Sequence, residues 1–426
     1  MKVYVYTLGC RVNQCESESV AHAFSVEGWE VLNDYRKADL VVVNTCTVTS
    51  KAEQKARRMI RLFAVQCPTL VTGCYTDKEL LKISDNVLLL PISRKAELLK
   101  LPEIIKENGT CPLDDILKHF ADGKYNINCN AFDFDASDFS YHCRSYLKIQ
   151  DGCDNNCGYC RTHIARGKSV FLNSDTVVER ALAIEKAGYH EIILTGVNLT
   201  MYDHGGNGLG GLLEKLLDNL GSDIRIRLSS MEPDHIDKRL IACLKDFRMQ
   251  PYFHIPIQSA SDKVIHRVNR NYSNEHLKMV IDEIRKVKDD PLLACDIITG
   301  LPSEEDEDFE ITKRFLDENG FSLFHVFPFS PRPDTSLFRA KDRVSESIRD
   351  RRAAILREMS KNKYAEYVSR QIGKPNEVIL EEKINGVWYG LTGNYIKLKV
   401  SGVDDNAVCG ELRKVLIKSA EEAVCL

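Results

Sequence analysis

The chain has 426 residues, of which 43% are hydrophobic, and a net charge of −4. These values are typical of a soluble globular protein with sizeable cores. The near-neutral charge excludes an overall basic field, so any contact with nucleic acid has to come from local patches of Lys and Arg. No run is apolar for the roughly 18 residues that a membrane span needs, and the N-terminus leads into a strand-like run rather than an export signal. We therefore expect a cytoplasmic protein without membrane contacts.

Short apolar runs alternate with polar, helix-like stretches over the first part of the chain. Three runs are typical of buried parallel strands: 3–7, 40–43 and 70–72. Two polar stretches are typical of helices: 17–27 and 51–64. The pattern predicts an open parallel α/β domain in residues 1–140, with a linker-like composition from Leu101 to Phe139.

A second series of strands and helices begins near Ser145. Its candidate strands recur every 30–45 residues or so, which is too long for hairpins and fits βα units. They are 146–150, 191–195, 224–228, 252–257, 292–298 and 323–329. The series predicts a partial (β/α)6 barrel in residues 141–368. After the fifth strand, the run from Ser303 to Asp306 predicts a helix start, because a capping oxygen precedes acidic residues there.

Strands and turns replace the helical pattern after Pro375. Four glycine-punctuated runs predict a small all-β barrel in residues 369–426: 377–381, 387–391, 395–400 and 413–417. In the third run, strand alternation puts Tyr395, Lys397 and Lys399 on one face. An aromatic ring among cations suits phosphate attraction combined with base stacking, so we expect these three residues to contact RNA.

Fifteen cysteines are many for a chain without an export signal, and this favours metal ligation over disulfides. Cys153, Cys157 and Cys160 lie on a Gly/Asn-rich loop after the first barrel strand. Three thiolates can hold a [4Fe–4S] cluster and leave one iron open to bind another molecule. The alternative is a zinc loop of Cys157, Cys160 and His163, although structural zinc usually takes four ligands in two separated pairs.

A second, dispersed triplet closely follows three predicted strands of the first domain. These cysteines are Cys10, Cys46 and Cys74, and the carboxyl ends of parallel strands meet at one edge of a sheet. The pattern predicts that the three converge on a second cluster, although a single free cysteine is more often a small buried apolar residue. The remaining nine cysteines, Cys409 among them, are expected to be core or surface thiols.

The two triplets and their order resemble those of the radical S-adenosylmethionine methylthiotransferases. The resemblance covers nearly the whole chain and implies a methylthiotransferase domain, a radical barrel and a TRAM domain. Four runs are most similar to the branch that acts on threonylcarbamoyladenosine in tRNA: Thr7 to Gln14, His254 to Ser259, His325 to Ser330 and Gly390 to Tyr395. The isopentenyladenosine branch and the branch that modifies a ribosomal-protein aspartate are less similar at Arg11, Val12 and Asn13.

By this resemblance, the barrel triplet holds the cluster whose open iron binds S-adenosylmethionine, and the dispersed triplet holds an auxiliary cluster that carries the sulfur. Residues in the cluster loop and at the barrel strand ends are expected to bind the cofactor: Tyr159, Thr195, Gly196, Asn198, Ser229, Ser230, Glu232 and Gln258. Each of the strand-end residues alone is more often a turn or cap residue, and Tyr159 is as well explained by loop packing. Arg161 and His163 stand where the family commonly has an Ile-Ile-Pro-like run; either tunes the cluster or lies on the surface.

The resemblance implies insertion of sulfur and a methyl group at adenine C2 of threonylcarbamoyladenosine, next to the tRNA anticodon. This C–H bond is unactivated, so a radical cofactor is the chemistry required. Expected partners are the anticodon stem–loop and an electron donor such as a flavodoxin or ferredoxin, but not DNA. Two alternatives stay open. One is methylthiolation of isopentenyladenosine or a ribosomal-protein aspartate, and the other is a non-catalytic iron–sulfur sensor that binds RNA.

Overall fold

The computed structural model describes residues 1–135 and 143–426. The expected boundary between the first two domains, at residues 140 and 141, and the end of the expected linker lie outside the described residues. No described helix combines the length and the apolar character that crossing a membrane requires.

The N-terminal part is a sheet of five parallel strands in the order β2-β1-β3-β4-β5. The strands are β1 (Lys2–Thr7), β2 (Glu30–Val31), β3 (Leu40–Thr45), β4 (Thr69–Gly73) and β5 (Val87–Leu89). Helices α1 (Arg11–Val26) and α2 (Ser50–Ala64) follow β1 and β3. All of β3 is buried, as a central strand covered on both faces requires. The predicted open parallel α/β fold is confirmed, and β1, β3 and β4 are neighbours.

The stretch that was expected to be a linker is instead partly helical. Helices α3 (Leu101–Glu107) and α4 (Leu113–Ala121) bury Ile105, Leu117 and Phe120 in the same core as Val3. The linker prediction was wrong for these residues because helices of 7 and 9 residues are too short to show a clear apolar period.

The central part is a wall of six parallel strands in chain order, open between its first and last strand within the described residues. Bridges from Ile226 to Met249 and from Ser230 to His254 join its two three-stranded halves. A short hairpin follows the first strand. The strands are β6 (Ser145–Lys148), hairpin strands β7 (Gln150–Asp151) and β8 (Val170–Phe171), β9 (Glu191–Thr195), β10 (Arg225–Leu228), β11 (Tyr252–His254), β12 (Leu292–Thr299) and β13 (Phe321–Pro328). The predicted partial (β/α)6 barrel is confirmed.

Helices lie between and after the strands of this barrel along the chain. They are α5 (Thr162–Arg166), α6 (Ser174–Lys186), α7 (Gly208–Asn219), α8 (Lys238–Leu244), α9 (Asp262–Arg267), α10 (Asn274–Val287), α11 (Asp306–Glu318) and α12 (Glu346–Gln371). α10 buries Leu277, Val280, Ile281 and Ile284, the spacing of a single apolar face. α11 begins where the acidic run predicted, but its cap is Glu305, in a capping box with Asp308.

The C-terminal part is a closed five-stranded barrel in the order β14-β15-β16-β18-β17. Its strands are β14 (Pro375–Ile384), β15 (Val387–Thr392), β16 (Lys397–Ser401), β17 (Leu412–Ile417) and β18 (Glu422–Cys425). This closed barrel is consistent with the expected TRAM fold. The strand β18 was not predicted.

Tyr395 does not lie in β16, so the expectation that it shares a strand face with Lys397 and Lys399 is wrong. The residue has φ 66°, and its N–H donates to Thr392 O at 3.0 Å within a turn. Its ring stacks on Tyr252 with the ring centres 4.2 Å apart. The turn therefore directs Tyr395 towards the central barrel, away from the two lysines.

The C-terminal barrel is joined to the central one by polar contacts and a disulfide. Arg225 Nε donates to Glu377 at 2.6 Å, and the buried Arg227 donates through Nη1 to Gly393 O at 3.0 Å. Cys143 is bonded to Cys409, with their Cα atoms 5.5 Å apart. The expectation that Cys409 is a lone thiol was wrong, because its partner is 266 residues away in sequence.

Candidate active site between the two cysteine triplets

The barrel triplet lies on the loop after β7, beside the carboxyl ends of the barrel strands. Three donors point at its sulfur atoms: Asn198 Nδ2 lies 3.8 Å from Cys153 Sγ, Arg270 Nη1 lies 3.7 Å from Cys157 Sγ, and the Thr162 N–H donates to Cys160 Sγ at 3.4 Å. Such donors stabilise sulfur ligands and tune a cluster that the sulfurs bind.

Two glycines fix the course of this loop. Gly152 has φ +70°, and a Cβ there would lie 2.0 Å from Lys168 O. A Cβ on Gly158 would lie 2.9 Å from the Leu337 side chain, and the Gly158 N–H donates to Val268 O at 2.9 Å. The loop therefore packs against the hairpin on one side and the segment after β13 on the other, which only residues without a side chain allow.

The dispersed triplet meets at one edge of the N-terminal sheet. Burial raises the pKa of Cys46 to about 12, and the neighbouring thiols of Cys10 and Cys74 act in the same direction. Gly9 has φ +105°, and a Cβ there would lie 2.8 Å from Cys46 Cβ. The structure thus brings together three cysteines that are far apart in sequence, as their positions after β1, β3 and β4 predicted.

Among the described residues, no three His, Cys, Asp or Glu side chains converge on one point as a single metal ion requires. A cubane cluster takes its thiolates on different irons, so its ligands need not converge. His163 is hydrogen-bonded to the Cys160 thiol, and this contact raises the pKa of its imidazole.

A cavity of about 400 Å³ lies between the segment around Cys10 and the barrel interior. Its N-terminal wall is formed by Gly9, Cys10, Arg11 and Val12. The barrel and the C-terminal turn supply Thr195, Gly196, Ser229, Ser230, Tyr252, His254, Asp296, His325, Phe327 and Tyr395. The cavity therefore has walls from all three parts of the chain.

Two hydroxyls on this cavity have no partner among the described residues, Thr195 Oγ1 and Ser229 Oγ. Buried hydroxyls are normally hydrogen-bonded, so both are available to a polar ligand. A Cβ on Gly196 would lie 2.7 Å from Gln150 Oε1. A side chain therefore does not fit at this position, and the end of β9 has none there. This donor set fits a cofactor with carboxylate, amino and hydroxyl groups, such as S-adenosylmethionine.

A smaller cavity of about 140 Å³ adjoins the first, since Asp296 and Phe327 line both. Tyr159, Cys160 and Gln258 line it. Gln258 has φ 59°, a conformation that is unfavourable for a residue with a side chain and that often marks a functional site.

Other predicted ligands already have protein partners. Ser230 Oγ lies 2.8 Å from His254 Nδ1. Glu232 forms an ion pair with Arg270, and burial raises the pKa of this carboxyl to about 7 in spite of Arg270. Arg270 also donates to the Tyr159 hydroxyl at 2.8 Å. Arg270 thereby connects Glu232 to the barrel triplet, and sequence reasoning missed it because nothing in its own segment marks it.

A buried cluster of five charged residues joins the N-terminal sheet to the central barrel. It consists of Glu16, Lys95, Lys148, Asp151 and Arg166. Lys148 Nζ lies 2.7 Å from Glu16 and 2.6 Å from Asp151, and Arg166 Nη1 lies 2.8 Å from Asp151. Arg166 also neighbours Cys74. The cluster therefore holds the dispersed triplet against the barrel. The one sequence signal for it is a lysine within a buried strand, Lys148.

Replacing Glu16 by alanine is expected to destabilise the protein by about 3–5 kcal/mol, because three buried cations would then share one carboxylate, Asp151. Anaerobic urea unfolding of the reconstituted protein measures this change. The control is Glu30→Ala, which removes an exposed pair with Lys2 and should cost about 1 kcal/mol or less. Equal effects of the two substitutions would contradict the importance of the cluster.

Comparison with known proteins gives matches along the whole chain. Two family models match: the Radical SAM superfamily over residues 147–316 and Uncharacterized protein family UPF0004 over residues 2–89. The chain is 34% identical to "Threonylcarbamoyladenosine tRNA methylthiotransferase MtaB" of Treponema pallidum (strain Nichols), over 93% of this chain and 94% of that protein. It is 32% identical to "tRNA-2-methylthio-N(6)-dimethylallyladenosine synthase" of Endomicrobium trichonymphae, over 94% of each.

Among solved structures, the radical S-adenosylmethionine methyltransferase TsrM from Kitasatospora setae superposes with a TM-score of 0.56. The match covers 79% of this chain and 77% of that one at 12% identity. At this identity the likeness concerns the fold alone.

Proposed function

We propose that this chain methylthiolates adenine C2 of threonylcarbamoyladenosine in tRNA. The chain belongs to the radical S-adenosylmethionine methylthiotransferases. The observation that carries the proposal is a pair of adjoining cavities, one lined by Cys10 of the dispersed triplet and the other by Cys160 of the barrel triplet. Relatives named for either nucleoside match nearly the full length of the chain, and the slightly higher identity to one named for threonylcarbamoyladenosine, 34% against 32%, supports the choice of this substrate.

The proposal divides the work among the three parts of the chain. Residues 1–140 would hold the auxiliary cluster through Cys10, Cys46 and Cys74, and residues 141–368 the radical cluster through Cys153, Cys157 and Cys160. When bound, the clusters and S-adenosylmethionine supply the radical, the sulfur and the methyl group for the new C–S bond.

The chain's own residues would orient these groups and exclude water. Thr195 and Ser229 offer free hydroxyls to the cofactor, and Asn198 and Arg270 donate towards the cluster sulfurs. Tyr159 and Gln258 line the adjoining cavity. Since Tyr252 and Tyr395 stack at one end of the large cavity, a planar base entering from the triplet side would meet an aromatic wall there.

Residues 369–426 would bind the tRNA together with the basic face of α2. Lys397 is exposed and Lys399 half-buried, each beside a glutamate. In α2, the exposed cations are Lys51, Lys55, Arg58 and Arg61. The cap of α2, Thr49, lines the smaller cavity, so the helix leads away from the site and its cations suit contacts with the phosphates of an anticodon stem–loop. A tRNA substrate implies a cytoplasmic enzyme, and the chemistry requires an electron donor such as a flavodoxin or ferredoxin.

The substrate can be tested by deleting the gene in its host and analysing tRNA nucleosides by mass spectrometry. We expect the 2-methylthio derivative of threonylcarbamoyladenosine to disappear and to return when the wild-type gene is supplied, but not when Cys157→Ala is supplied. Loss of the isopentenyladenosine derivative instead would assign the chain to the other tRNA branch. Unchanged nucleosides together with RNA binding and no release of 5′-deoxyadenosine would favour the sensor.

A further inference from the structure

The large cavity contains an arginine that forms no ion pair with a carboxylate of the described chain; the carboxylate that its charge does influence, Glu191, is paired with Arg227. Arg11 is the first residue of α1, directly after Cys10, and it lines the cavity. Its Nη2 donates to the Tyr395 hydroxyl at 3.2 Å, and its guanidinium lies 5.7 Å and 6.0 Å from the ring centres of Tyr395 and Tyr252. Within the described residues, no Asp or Glu oxygen lies within ion-pair distance of Arg11. Most of its five N–H donors are therefore left for a ligand.

Four other arginines with buried side chains form ion pairs with carboxylates, unlike Arg11. Arg166 contacts Asp151, Arg227 contacts Glu191, Arg270 contacts Glu232 and Arg332 contacts Glu53. A partly buried cation without an anion is unfavourable unless something else stabilises it. The two tyrosine rings do so in part, as aromatic faces attract cations. The cavity thus retains a positive group at a position where an anion would be stabilised further.

The other charged or titratable groups that line this cavity do not provide a positive charge for an anionic ligand. Asp296 lies 3.1 Å from His254 Nε2, so its negative charge already has a partner. The rings of His254 and His325 have their centres 5.5 Å apart. Burial lowers the pKa of His325, and the neighbouring His254 lowers it further, so the neutral form of His325 is favoured. Arg11 is consequently the permanent cation of the cavity, and the amino end of α1 adds positive potential beside it.

We infer that Arg11 binds the carboxylate of the threonyl group on the substrate nucleoside and so selects an acidic N6 substituent over an apolar one. This inference rests on the proposed function. In adenine, C2 and C6 both flank N1, so the carbon that is modified and the N6 substituent lie on the same edge of the base. Cys10 and Arg11 are neighbours on one wall of the cavity. A base that presents C2 to Cys10 therefore brings its N6 substituent towards Arg11.

The chemistry of the two groups matches. A guanidinium offers parallel N–H donors that fit a carboxylate with two hydrogen bonds, which a lysine cannot reproduce. An isopentenyl group has no charge or hydrogen-bonding atom and would leave Arg11 unpaired, which disfavours that substituent.

The test compares two anticodon stem–loops, one with threonylcarbamoyladenosine and one with its methyl ester, which lacks the negative charge. Their binding to the reconstituted holoenzyme is measured by fluorescence anisotropy. We expect the wild type to bind the acid at least about tenfold more tightly than the ester, and Arg11→Met to bind both with the affinity of the ester. Arg11→Lys should recover only part of the preference. The control is Arg36→Met, which changes an exposed arginine paired with Asp34 and should keep the full preference.

Because Arg11 adjoins Cys10, the iron content and absorption spectrum of Arg11→Met are compared with those of the wild type. If that variant loses iron, Tyr395→Phe replaces it. This change removes the hydroxyl that orients Arg11, far from Cys10 in sequence, and should lower the acid preference. Equal binding of acid and ester by the wild type overturns the inference, as does a full preference in an iron-replete Arg11→Met. Failure of the wild type to methylthiolate the acid stem–loop would instead contradict the proposed function.

Discussion

Replacing Cys10, Cys46 and Cys74 together by alanine is expected to abolish methylthiolation of tRNA while release of 5′-deoxyadenosine continues. The three residues lie at one edge of the N-terminal sheet, whereas the barrel triplet lies on its own loop after β7 with separate donors. Loss of the first set leaves the second intact. Anaerobic reconstitution, iron analysis and mass spectrometry of both products measure the outcome, with about eight irons per chain for the wild type and about four for the variant.

Cys67→Ala is the matched control for this experiment. Cys67 is buried in the same core as Cys46, but it follows a helix rather than a strand of the sheet edge. It should retain the wild-type iron content and both products. Undiminished methylthiolation by the triple variant would refute an auxiliary cluster at this edge. Loss of 5′-deoxyadenosine as well would show that the two sites are not independent.

Arg270→Met is expected to lower the rate of S-adenosylmethionine cleavage by about 10- to 100-fold, the usual effect of removing a group that supports a metal ligand. Arg270 is buried against Cys157 Sγ, the Tyr159 hydroxyl and the carboxylate of Glu232. Its removal would take a positive charge and two donors from the cluster loop and leave Glu232 buried without its partner. Quantifying 5′-deoxyadenosine under single-turnover conditions measures the loss.

Arg267→Met separates this effect from a general loss of stability. Arg267 lies three residues earlier and forms an exposed pair with Asp342, so its replacement should leave cleavage within about twofold of the wild type. The electron paramagnetic resonance spectrum of the reduced barrel cluster adds a readout that a merely structural role would not change. A wild-type spectrum and rate in Arg270→Met would contradict the assignment.

Local patterns in the sequence were sufficient to predict the order of elements that positions the site. Apolar runs predicted five of the six wall strands to within two residues at either end, because buried parallel strands show as continuous apolar segments. The exception was β11, which ends at His254, earlier than the run to residue 257 predicted. Short elements were not predicted because they contain too few residues to show a pattern: β18 has four residues and no distinctive period.

The position of Cys10, Cys46 and Cys74 at one sheet edge was predictable because it depends on topology alone: each follows a strand, and β1, β3 and β4 are adjacent. Contacts that depend on distant partners were not predictable. Arg270 contacts residues 38 and 113 positions away, and Tyr395 meets Arg11 across 384 positions. Propensity and spacing contain no information about such pairs.

The sequence by itself thus determined the chemistry that this chain can support, since the number, spacing and strand-end positions of its cysteines are local properties of the chain. The tertiary structure alone decided which charges remain unpaired. Glu16, Lys148 and Arg166 neutralise one another in the interface, whereas Arg11 faces the cavity with tyrosine rings as its neighbours. Whether a cation is satisfied depends on which groups folding brings within a few ångströms of it, because Coulomb and hydrogen-bond energies fall off with distance in space rather than in sequence.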